Sequence, residues 1–352
     1  STLKRYVSFV RFKPRPPQSS FTHRNIKFNL LNKFMKKKIG LFWLRDDFRI
    51  TKNLGLYEAT KNHDHVVVFY LYKKASYQNQ EAQKWWLSKS LSIFKKKLND
   101  LNISLEIIAT ESFKIFFDKL LLKKNISIYW NKVYEPDYLK FDEYLSKNLK
   151  NKNIPFKVCK GNVLNEIYEV KKNDGTPFKV FTPFWRNAEK YFIEKIPSKK
   201  NTVKKCLIKK IFFQGISENE ILPKKSWFKN FEKLWTPSEE EALKELRSFI
   251  KYKINNYSDG RNFPSILGTS KLSPFIKHGQ IHVETIWNEC RNIKNKSIGT
   301  NKFLAEIGWR EFNHALINHF PHMIKNNYSK KFDNFPWEKN IKFLSAWKKG
   351  LT

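Results

Sequence analysis

Several residue types that would mark a specialised class of protein are scarce in this chain of 352 residues. It has three cysteines, Cys159, Cys206 and Cys290, whose spacing matches no metal motif and whose odd number excludes a fully paired disulfide framework. We therefore expect no metal site, and reduced thiols in an intracellular, cytoplasmic protein. No apolar run reaches the roughly 20 residues that a membrane-spanning helix needs, so we expect no membrane association.

Acidic residues and glycine are also scarce. Asp and Glu total 32 against 68 Lys and Arg, which gives a formal net charge of +36, and only 11 glycines are present. Such a charge favours a polyanionic partner, for example nucleic acid. Abundant Lys, Asn, Ile and Phe with little Gly also match the bias of an A·T-rich coding sequence. The sign of the charge is therefore a better guide to function than its size.

The N-terminal stretch differs from the rest in composition. Residues 1–34 contain no Asp or Glu, and the chain begins with Ser1, whereas Met35 stands directly before the first apolar run. We interpret residues 1–36 as a basic, disordered extension from an upstream or leader segment. An organelle transit peptide is the alternative interpretation.

From residue 37 on, short apolar runs alternate with helical patterns. Five β-branched-rich strands with helical crossovers predict an α/β fold with a doubly wound parallel sheet over residues 37–165. The strands are predicted at residues 38–44, 65–71, 103–108, 126–130 and 155–159, and the helices at 54–61, 81–101, 112–123 and 138–150. Ligands of such sheets bind beyond the carboxyl ends of the strands, which places Arg45, Asp46 and Asp47 near a crevice.

The second half of the chain reads differently. Residues 166–236 are predicted as an interdomain linker, with a turn at 173–177, one helix over 182–196 and a basic, irregular stretch after it. From residue 237 the pattern is helical, beginning with Ser238 as a capping residue before an acidic first turn. No strand pattern returns, so residues 237–352 are predicted to form an all-helical domain.

The segment YSDGRNFPSILGTSKLS, residues 257–273, predicts a loop that ends in a helix start. Gly268 gives the backbone freedom to turn, while Thr269, Ser270 and Lys271 supply hydroxyls, N–H groups and a positive charge. Ser273 followed by Pro274 is typical of an N-cap and first turn. Such a turn can hold a phosphate group. An ordinary capped helix is the alternative.

The segment FLAEIGWREFNHAL, residues 303–316, predicts a helix with one unusual face. Glu306, Trp309, Arg310 and Asn313 share that face, while the apolar residues of the segment largely point elsewhere. A carboxylate, an indole, a guanidinium and an amide together suit a flat, polar ligand. The alternative is a solvated face with a Glu306–Arg310 ion pair.

These two segments together resemble the flavin-binding domain of the DNA photolyase/cryptochrome family, and are most similar to bacterial cyclobutane-pyrimidine-dimer photolyases. Further segments fit the same family in the same order, and the match runs from about Lys38 to the last residue. They are WLRDDFRITKNLGLYEA (43–59), VYEPDY (133–138), VFTPFWR (180–186), FPW (335–337) and AWKKG (346–350).

The resemblance implies a light-driven deoxyribodipyrimidine photo-lyase, a monomer acting on damaged DNA with FAD as cofactor. It implies that Glu306 and Trp309 are catalytic, and that Arg261, Glu306, Trp309 and Asn313 contact DNA. The residues implied to contact FAD are Tyr257, Thr269, Ser270, Lys271, Leu272, Ser273, Phe303 and Arg310.

The resemblance implies two further elements. Trp337 corresponds to the surface tryptophan of the family's photoreduction chain. Glu135 corresponds to a position that contacts a folate (methenyltetrahydrofolate) antenna in some members, whereas others carry a deazaflavin. Since similar proteins continue beyond the point that matches Thr352, we expect an incomplete FAD-binding domain that binds FAD weakly and repairs little without a second polypeptide. A cryptochrome-type photoreceptor and a basic nucleic-acid-binding remnant are the competing interpretations.

Overall fold

The computed structural model describes residues 38–78, 80–194 and 202–351. The predicted extension at residues 1–36 lies outside them. The first half alternates strands and helices as the sequence predicts. Its elements are β1 (Ile39–Leu44), α1 (Leu54–Asn62), β2 (Val66–Tyr72), α2 (Glu81–Asp100), β3 (Ser104–Ala109), α3 (Phe113–Leu120), β4 (Ile126–Asn131), α4 (Pro136–Asn151) and β5 (Phe156–Cys159).

The five strands form one parallel sheet in the order β3-β2-β1-β4-β5. Leu41 in β1 is in register with Val67 of β2 and Ile128 of β4. Side chains of β1 alternate between two apolar layers, with Trp43 in one and Phe42 in the other. Because both faces of the central strands are buried under helices, their sequences are continuous apolar runs. The doubly wound parallel sheet is therefore confirmed.

The second half is helical among the residues described. Its helices are α5 (Phe181–Glu194), α6 (Lys229–Leu234), α7 (Glu239–Tyr252), α8 (Tyr257–Gly260), α9 (Ser273–Lys277), α10 (Val283–Arg291), α11 (Ile298–His319) and α12 (Ile341–Lys348). Ser238 caps α7 as predicted, since its hydroxyl accepts a hydrogen bond of 3.1 Å from the Glu241 N–H. Within the described ranges, no helix combines the length and apolarity that crossing a bilayer requires.

The basic stretch after α5 also forms hydrogen bonds with the sheet. The Ile216 N–H donates to the Ile107 carbonyl at 2.7 Å in an antiparallel bridge along the open edge of β3. The carboxylate of Glu106, also on β3, accepts the backbone N–H groups of Phe212 and Phe213. This stretch therefore covers the edge strand of the sheet, where unpaired backbone groups would otherwise be exposed.

The two halves meet at the residues that follow β1. Arg49 donates to the Gly279 carbonyl at 2.8 Å, and the Glu239 carboxylate accepts the N–H groups of Ile50 and Thr51 at 2.9 and 3.1 Å. Gly279 has a left-handed φ of 65°, and a Cβ there would overlap the backbone of Asp46. The junction thus requires a residue that has no side chain and tolerates positive φ.

We expect Gly279→Ala to lower the free energy of unfolding by about 3 kcal/mol or more, because it adds overpacking to left-handed strain. Gly175→Ala is the matched control, since Gly175 has φ 77° but open space around it. That variant should lose only about 1–2 kcal/mol, the strain alone. Urea unfolding measures both, and equal losses would show that the two halves do not approach closely at Gly279.

Candidate functional site

A cavity of about 430 Å³, partly open to solvent, lies between the two halves. The α/β half contributes residues that follow β1, β4 and β5, as expected for ligands beyond the carboxyl ends of parallel strands. These are Asp46, Lys132, Val133, Tyr134, Glu135 and Asn162. The helical half contributes Tyr257, Ser270, Ser273, Ile276, Lys277, Phe303, Glu306, Ile307, Arg310 and His314.

Helix α11 supplies the longest continuous wall of this cavity. Phe303, Ile307, Arg310 and His314 follow one another at helical spacing along it. The Phe303 ring packs edge-on against Tyr257 with centroids 5.2 Å apart, and both rings are largely buried. The inner part of the cavity is therefore apolar and aromatic, while its outer part carries charged groups.

Only part of the hydroxyl-rich turn, residues 269–273, lines the cavity. Ser270 and Ser273 line the cavity, whereas Thr269 and Lys271 are exposed and lie outside its lining. The Leu272 side chain is buried in the helical core. Five of the eight residues implied to contact FAD thus share one cavity, namely Tyr257, Ser270, Ser273, Phe303 and Arg310.

The structure gives Gly268 a more specific role in this turn and corrects the predicted helix start. The residue of the turn with a left-handed φ, 55°, is Lys271. Gly268 is needed because a Cβ there would overlap the backbone of Gly260, so that two chain segments touch. Ser273 is the first residue of the five-residue helix α9 and not its N-cap, a position that Leu272 takes without a side-chain hydrogen bond. Ser273 lines the cavity instead.

The predicted polar face of α11 forms a second, shallower cavity of about 490 Å³. Glu306, Trp309, Arg310 and Asn313 all line it, which confirms that they share one face. Glu306 and Arg310 belong to both cavities, so the two spaces adjoin along α11.

The alternative of a solvated Glu306–Arg310 pair is wrong. Glu306 instead pairs with Arg261, which raises the pKa of the Arg261 guanidinium, and Arg310 pairs with Glu311 at 2.9 Å. Arg261 also lies over the Tyr257 ring, 5.5 Å from its centroid. Arg261, which is implied to contact DNA, therefore links Tyr257 of the cavity wall to Glu306, the carboxylate implied to be catalytic.

Glu311 is a site residue that sequence reasoning missed. It is buried, and its Oε2 accepts the N–H groups of Leu164 and Asn165 at 2.8 and 3.4 Å while Oε1 accepts from Arg310. Burial raises the pKa of Glu311 despite the nearby Arg310 charge. This carboxylate fixes Arg310 and joins α11 to the loop after β5. In the sequence, only the apolar residues around Glu311 could have indicated that its side chain points into the protein.

His314 was missed as well, although it continues the 303–307–310 spacing. Burial, followed by the Arg310 and Lys277 charges, lowers the pKa of His314 to about 3. The imidazole is therefore neutral near pH 7 and adds a hydrogen-bonding group without charge to the cavity wall.

The cavity rim carries an ion-pair cluster across the two halves. Lys277 pairs with Asp46 at 3.3 Å and with Glu135 at 3.1 Å. The Asp46 charge, then that of Glu135, raises the pKa of Lys277 against the effect of burial. Glu135, the residue implied to contact an antenna, therefore lies in the lining of the cavity between the two halves and pairs with a lysine.

Arg45 and Asp47 do not line the crevice as expected. Both are buried, with Arg45 paired to Asp142 at 2.9 Å and the Asp47 carboxylate accepting the Arg45 N–H at 3.0 Å. Asn131 links the two by donating to Asp47 and accepting from Arg45 through its carbonyl. This network holds the ends of β1 and β4 together, and of the three predicted residues only Asp46 reaches the cavity.

The two aromatic residues singled out by sequence differ in setting. Trp309 is 41% exposed at the shallow cavity. Trp337 is 72% exposed, 4.7 Å from the Phe335 ring centroid, and lies outside the lining of both cavities. The three cysteines are buried and free, and the described part of the chain contains no cluster of metal-binding side chains.

Comparison with known proteins gives the family. Residues 40–201 match the DNA photolyase family model, and residues 303–352 match the model of the FAD binding domain of DNA photolyase. The chain belongs to the DNA photolyase/cryptochrome family. FAD is the cofactor of the domain that its C-terminal part matches, and that part includes Phe303, Glu306, Trp309 and Arg310.

Individual relatives include both branches of the family. The chain is 30% identical over 319 residues to the deoxyribodipyrimidine photo-lyase of Agrobacterium fabrum, covering 89% of this chain and 66% of that protein. It is 24% identical to cryptochrome-2 of Arabidopsis thaliana, with 90% and 55% covered. The crystal structure of a class III photolyase from Agrobacterium tumefaciens superimposes with a TM-score of 0.80 at 29% identity, with 90% and 66% covered. The chain thus spans about two thirds of the length of these photolyases.

We expect Glu311→Ala to lower the free energy of unfolding by about 2–3 kcal/mol, because it leaves two buried N–H groups and Arg310 without their acceptor. Glu143→Ala on the exposed face of α4 is the control and should change little. The pKa of Glu311 is higher in the folded than in the unfolded state. Its contribution to the free energy of unfolding is therefore complete below the pKa of the unfolded state, and it diminishes as the pH rises through the pKa of the folded state. Chemical denaturation between pH 4.5 and 8 tests this, and a gap that widens with pH would contradict it.

Proposed function

We propose that the cavity between the two halves binds FAD and that the polar face of α11 binds a cyclobutane pyrimidine dimer in DNA, so that the protein is a light-driven deoxyribodipyrimidine photo-lyase. One observation carries the proposal. Five of the eight residues implied to contact the cofactor line one cavity, and three of the four implied to contact DNA line the other; the two cavities share Glu306 and Arg310. An electron donor bound in one cavity and an electron acceptor bound in the other would therefore be neighbours.

The residues present fit FAD. The volume of the cavity lies within the range of about 300–1,000 Å³ typical of ligand sites. Phe303, Tyr257 and Ile307 provide apolar surface for a flat ring, while Ser270 and Ser273 provide hydroxyl donors for phosphate oxygens. Arg310 and Lys277 lie in the same lining, each paired with carboxylate groups, and their remaining N–H groups can donate to a diphosphate. Helix α9 has only five residues, so these side chains and not a helix dipole carry the anion binding.

The chemistry divides between cofactor and chain. Reduced FAD, when bound and excited by light, would supply the electron that opens the cyclobutane ring and would take it back once the two pyrimidines have separated. The chain binds and orients the dimer. A dimer cannot react within the base stack, so it must be flipped out, which costs less for a damaged step. Trp309 offers an indole surface for the flipped bases, and Glu306 offers a hydrogen-bonding carboxylate for a base edge.

The position of Arg261 supports the assignment of this face as a DNA-binding site. Arg261 pairs with Glu306 at the edge of the site and is only partly buried, so a DNA phosphate can reach its guanidinium. The positive net charge adds attraction for the backbone that does not depend on sequence. Positioning by phosphate contacts and selection by Trp309 and Glu306 are thus separate tasks.

For FAD binding we expect the double variant Ser270→Ala/Ser273→Ala to weaken affinity by about tenfold or more, since hydrogen bonds to charged groups contribute about 1.5–3 kcal/mol each. Thr269→Ala is the matched control, because Thr269 belongs to the same turn but is exposed and outside the cavity lining. Quenching of flavin fluorescence measures the affinity. A larger loss for Thr269→Ala than for the double variant would reject this cavity as the flavin site.

For lesion binding we expect Trp309→Ala to weaken affinity for a thymine-dimer oligonucleotide by about tenfold to 100-fold, because stacking on an aromatic ring contributes about 1–3 kcal/mol per base. Asn301→Ala, an exposed position on α11, should have no such effect. Loss of dimers under blue light with reduced FAD present measures repair.

The same experiment separates the competing functions. Flavin photoreduction with no preference for dimers would favour a cryptochrome-type photoreceptor. Salt-dependent DNA binding without flavin binding or dimer preference would favour a basic nucleic-acid-binding protein.

A further inference from the structure

The Trp309 indole is covered on one face by an aromatic side chain from another part of the chain. The Phe181 ring lies parallel to it, with centroids 3.8 Å apart and an interplanar angle of 9°. Phe181 is the first residue of α5 and belongs to neither cavity lining. The covered face of the indole is therefore the one that points away from the shallow cavity.

The exposed part of Trp309 lies on its other side. The side chain is 41% exposed although Phe181 covers one face and Phe312 contacts it edge-on, 5.9 Å away at 71°. The open surface of the indole lines the shallow cavity together with Glu306 and Asn313. Trp309 thus presents a single π-face to a ligand.

The position of Phe181 is fixed by close contact between α5 and α11. Gly308, next to Trp309, lies so near the Trp185 ring that a Cβ there would overlap it. Phe184, on the same turn of α5, packs against Phe312 with centroids 5.2 Å apart. The glycine lets the two helices approach, and this approach brings Phe181 into stacking distance of Trp309.

A supported ring binds more selectively than a free one. A side chain ordered before binding loses less rotational freedom when a ligand stacks on it. An unsupported indole also has two faces and several rotamers, so it can stack with any unpaired base in a sequence-tolerant way. Covering one face leaves only the orientation that Glu306 and Asn313 flank.

We propose that Phe181 is a positioning residue for lesion recognition: it closes one face of Trp309, so that the open face takes a flipped pyrimidine dimer in preference to undamaged bases. This inference rests on the proposed binding of dimers at Trp309. Phe181 contacts neither DNA nor cofactor in this assignment and acts only through the indole.

The stack itself is tested without DNA or flavin. The chain is labelled with 5-fluorotryptophan, and the ¹⁹F resonance that disappears in Trp309→Phe is assigned to Trp309. Phe181→Leu should shift that resonance, because the ring current of the stacked phenyl is lost. Phe178→Leu is the matched control: Phe178 is also half-buried and contacts Phe184, but not Trp309. An unmoved Trp309 resonance in Phe181→Leu overturns the proposal.

The effect on recognition is tested by titrating the same variants with oligonucleotides that contain or lack one thymine dimer. Phe181→Leu should reduce the preference for the dimer about fivefold to tenfold while leaving affinity for undamaged DNA unchanged. Phe181→Tyr retains the ring and should restore the preference. The double variant Phe181→Leu/Trp309→Ala should be no worse than Trp309→Ala, because Phe181 acts only through the indole.

The outcomes separate this inference from the proposed function. If Trp309→Ala keeps the dimer preference, the proposed function is wrong and the inference fails with it. If Trp309→Ala loses the preference but Phe181→Leu keeps it, only the inference is wrong. If Phe181→Leu does not fold, as judged by the other indole resonances, Phe181→Met replaces it. Equal losses for Phe178→Leu and Phe181→Leu would show a general packing effect and overturn the inference.

Discussion

The site depends on how closely the segment after β1 approaches the segment after α9. Gly279 lies against the backbone of Asp46, and Arg49 donates to its carbonyl. Asp46 on one side of this contact and Lys277 on the other then pair across the cavity rim. The cavity between the two halves exists because the halves are held at this distance, with polar groups left at the boundary that neither half could bury without partners. Stability and ligand binding therefore meet in the same few backbone contacts.

Helix α11 connects this junction to the chemistry because its faces have separate tasks. Phe303 and Ile307 line only the cavity between the two halves, while Trp309 and Asn313 line only the shallow one. Glu311 points into the protein and anchors the helix to the loop after β5. A side chain is fixed to within a fraction of an ångström only when its helix is fixed, and the buried carboxylate provides that fixation. Burying the Glu311 carboxylate costs free energy, as its raised pKa shows. In return, the carboxylate holds the Arg310 side chain in place.

Much of this was predictable because local patterns carried it. Continuous apolar runs separated by helical stretches predicted the parallel sheet, and the 306–309–310–313 spacing predicted one face of α11, both of which the structure confirms. The contacts that complete the site were not predictable. The pairing of Glu306 with Arg261 and the stacking of Phe181 on Trp309 join segments far apart in sequence. Periodicity indicates which side chains share a face, but it does not indicate what lies opposite that face. The role of Gly268 was missed for the same reason, since its partner Gly260 is set by tertiary packing.

In the proposed function, the Arg261–Glu306 pair would let the site distinguish a lesion from the phosphate charge that every DNA strand carries. Any DNA strand offers a phosphate to Arg261, and taking that contact weakens the attraction between Arg261 and Glu306. A partly exposed carboxylate that loses its cation gains free energy only if another donor replaces it. An undamaged, stacked strand keeps its base edges paired and supplies no such donor, whereas a flipped dimer brings base N–H groups to Glu306 and a flat surface to Trp309. In the proposed function, phosphate and lesion would therefore bind favourably together and less favourably apart, and discrimination would arise from the coupling of two contacts that are each unspecific.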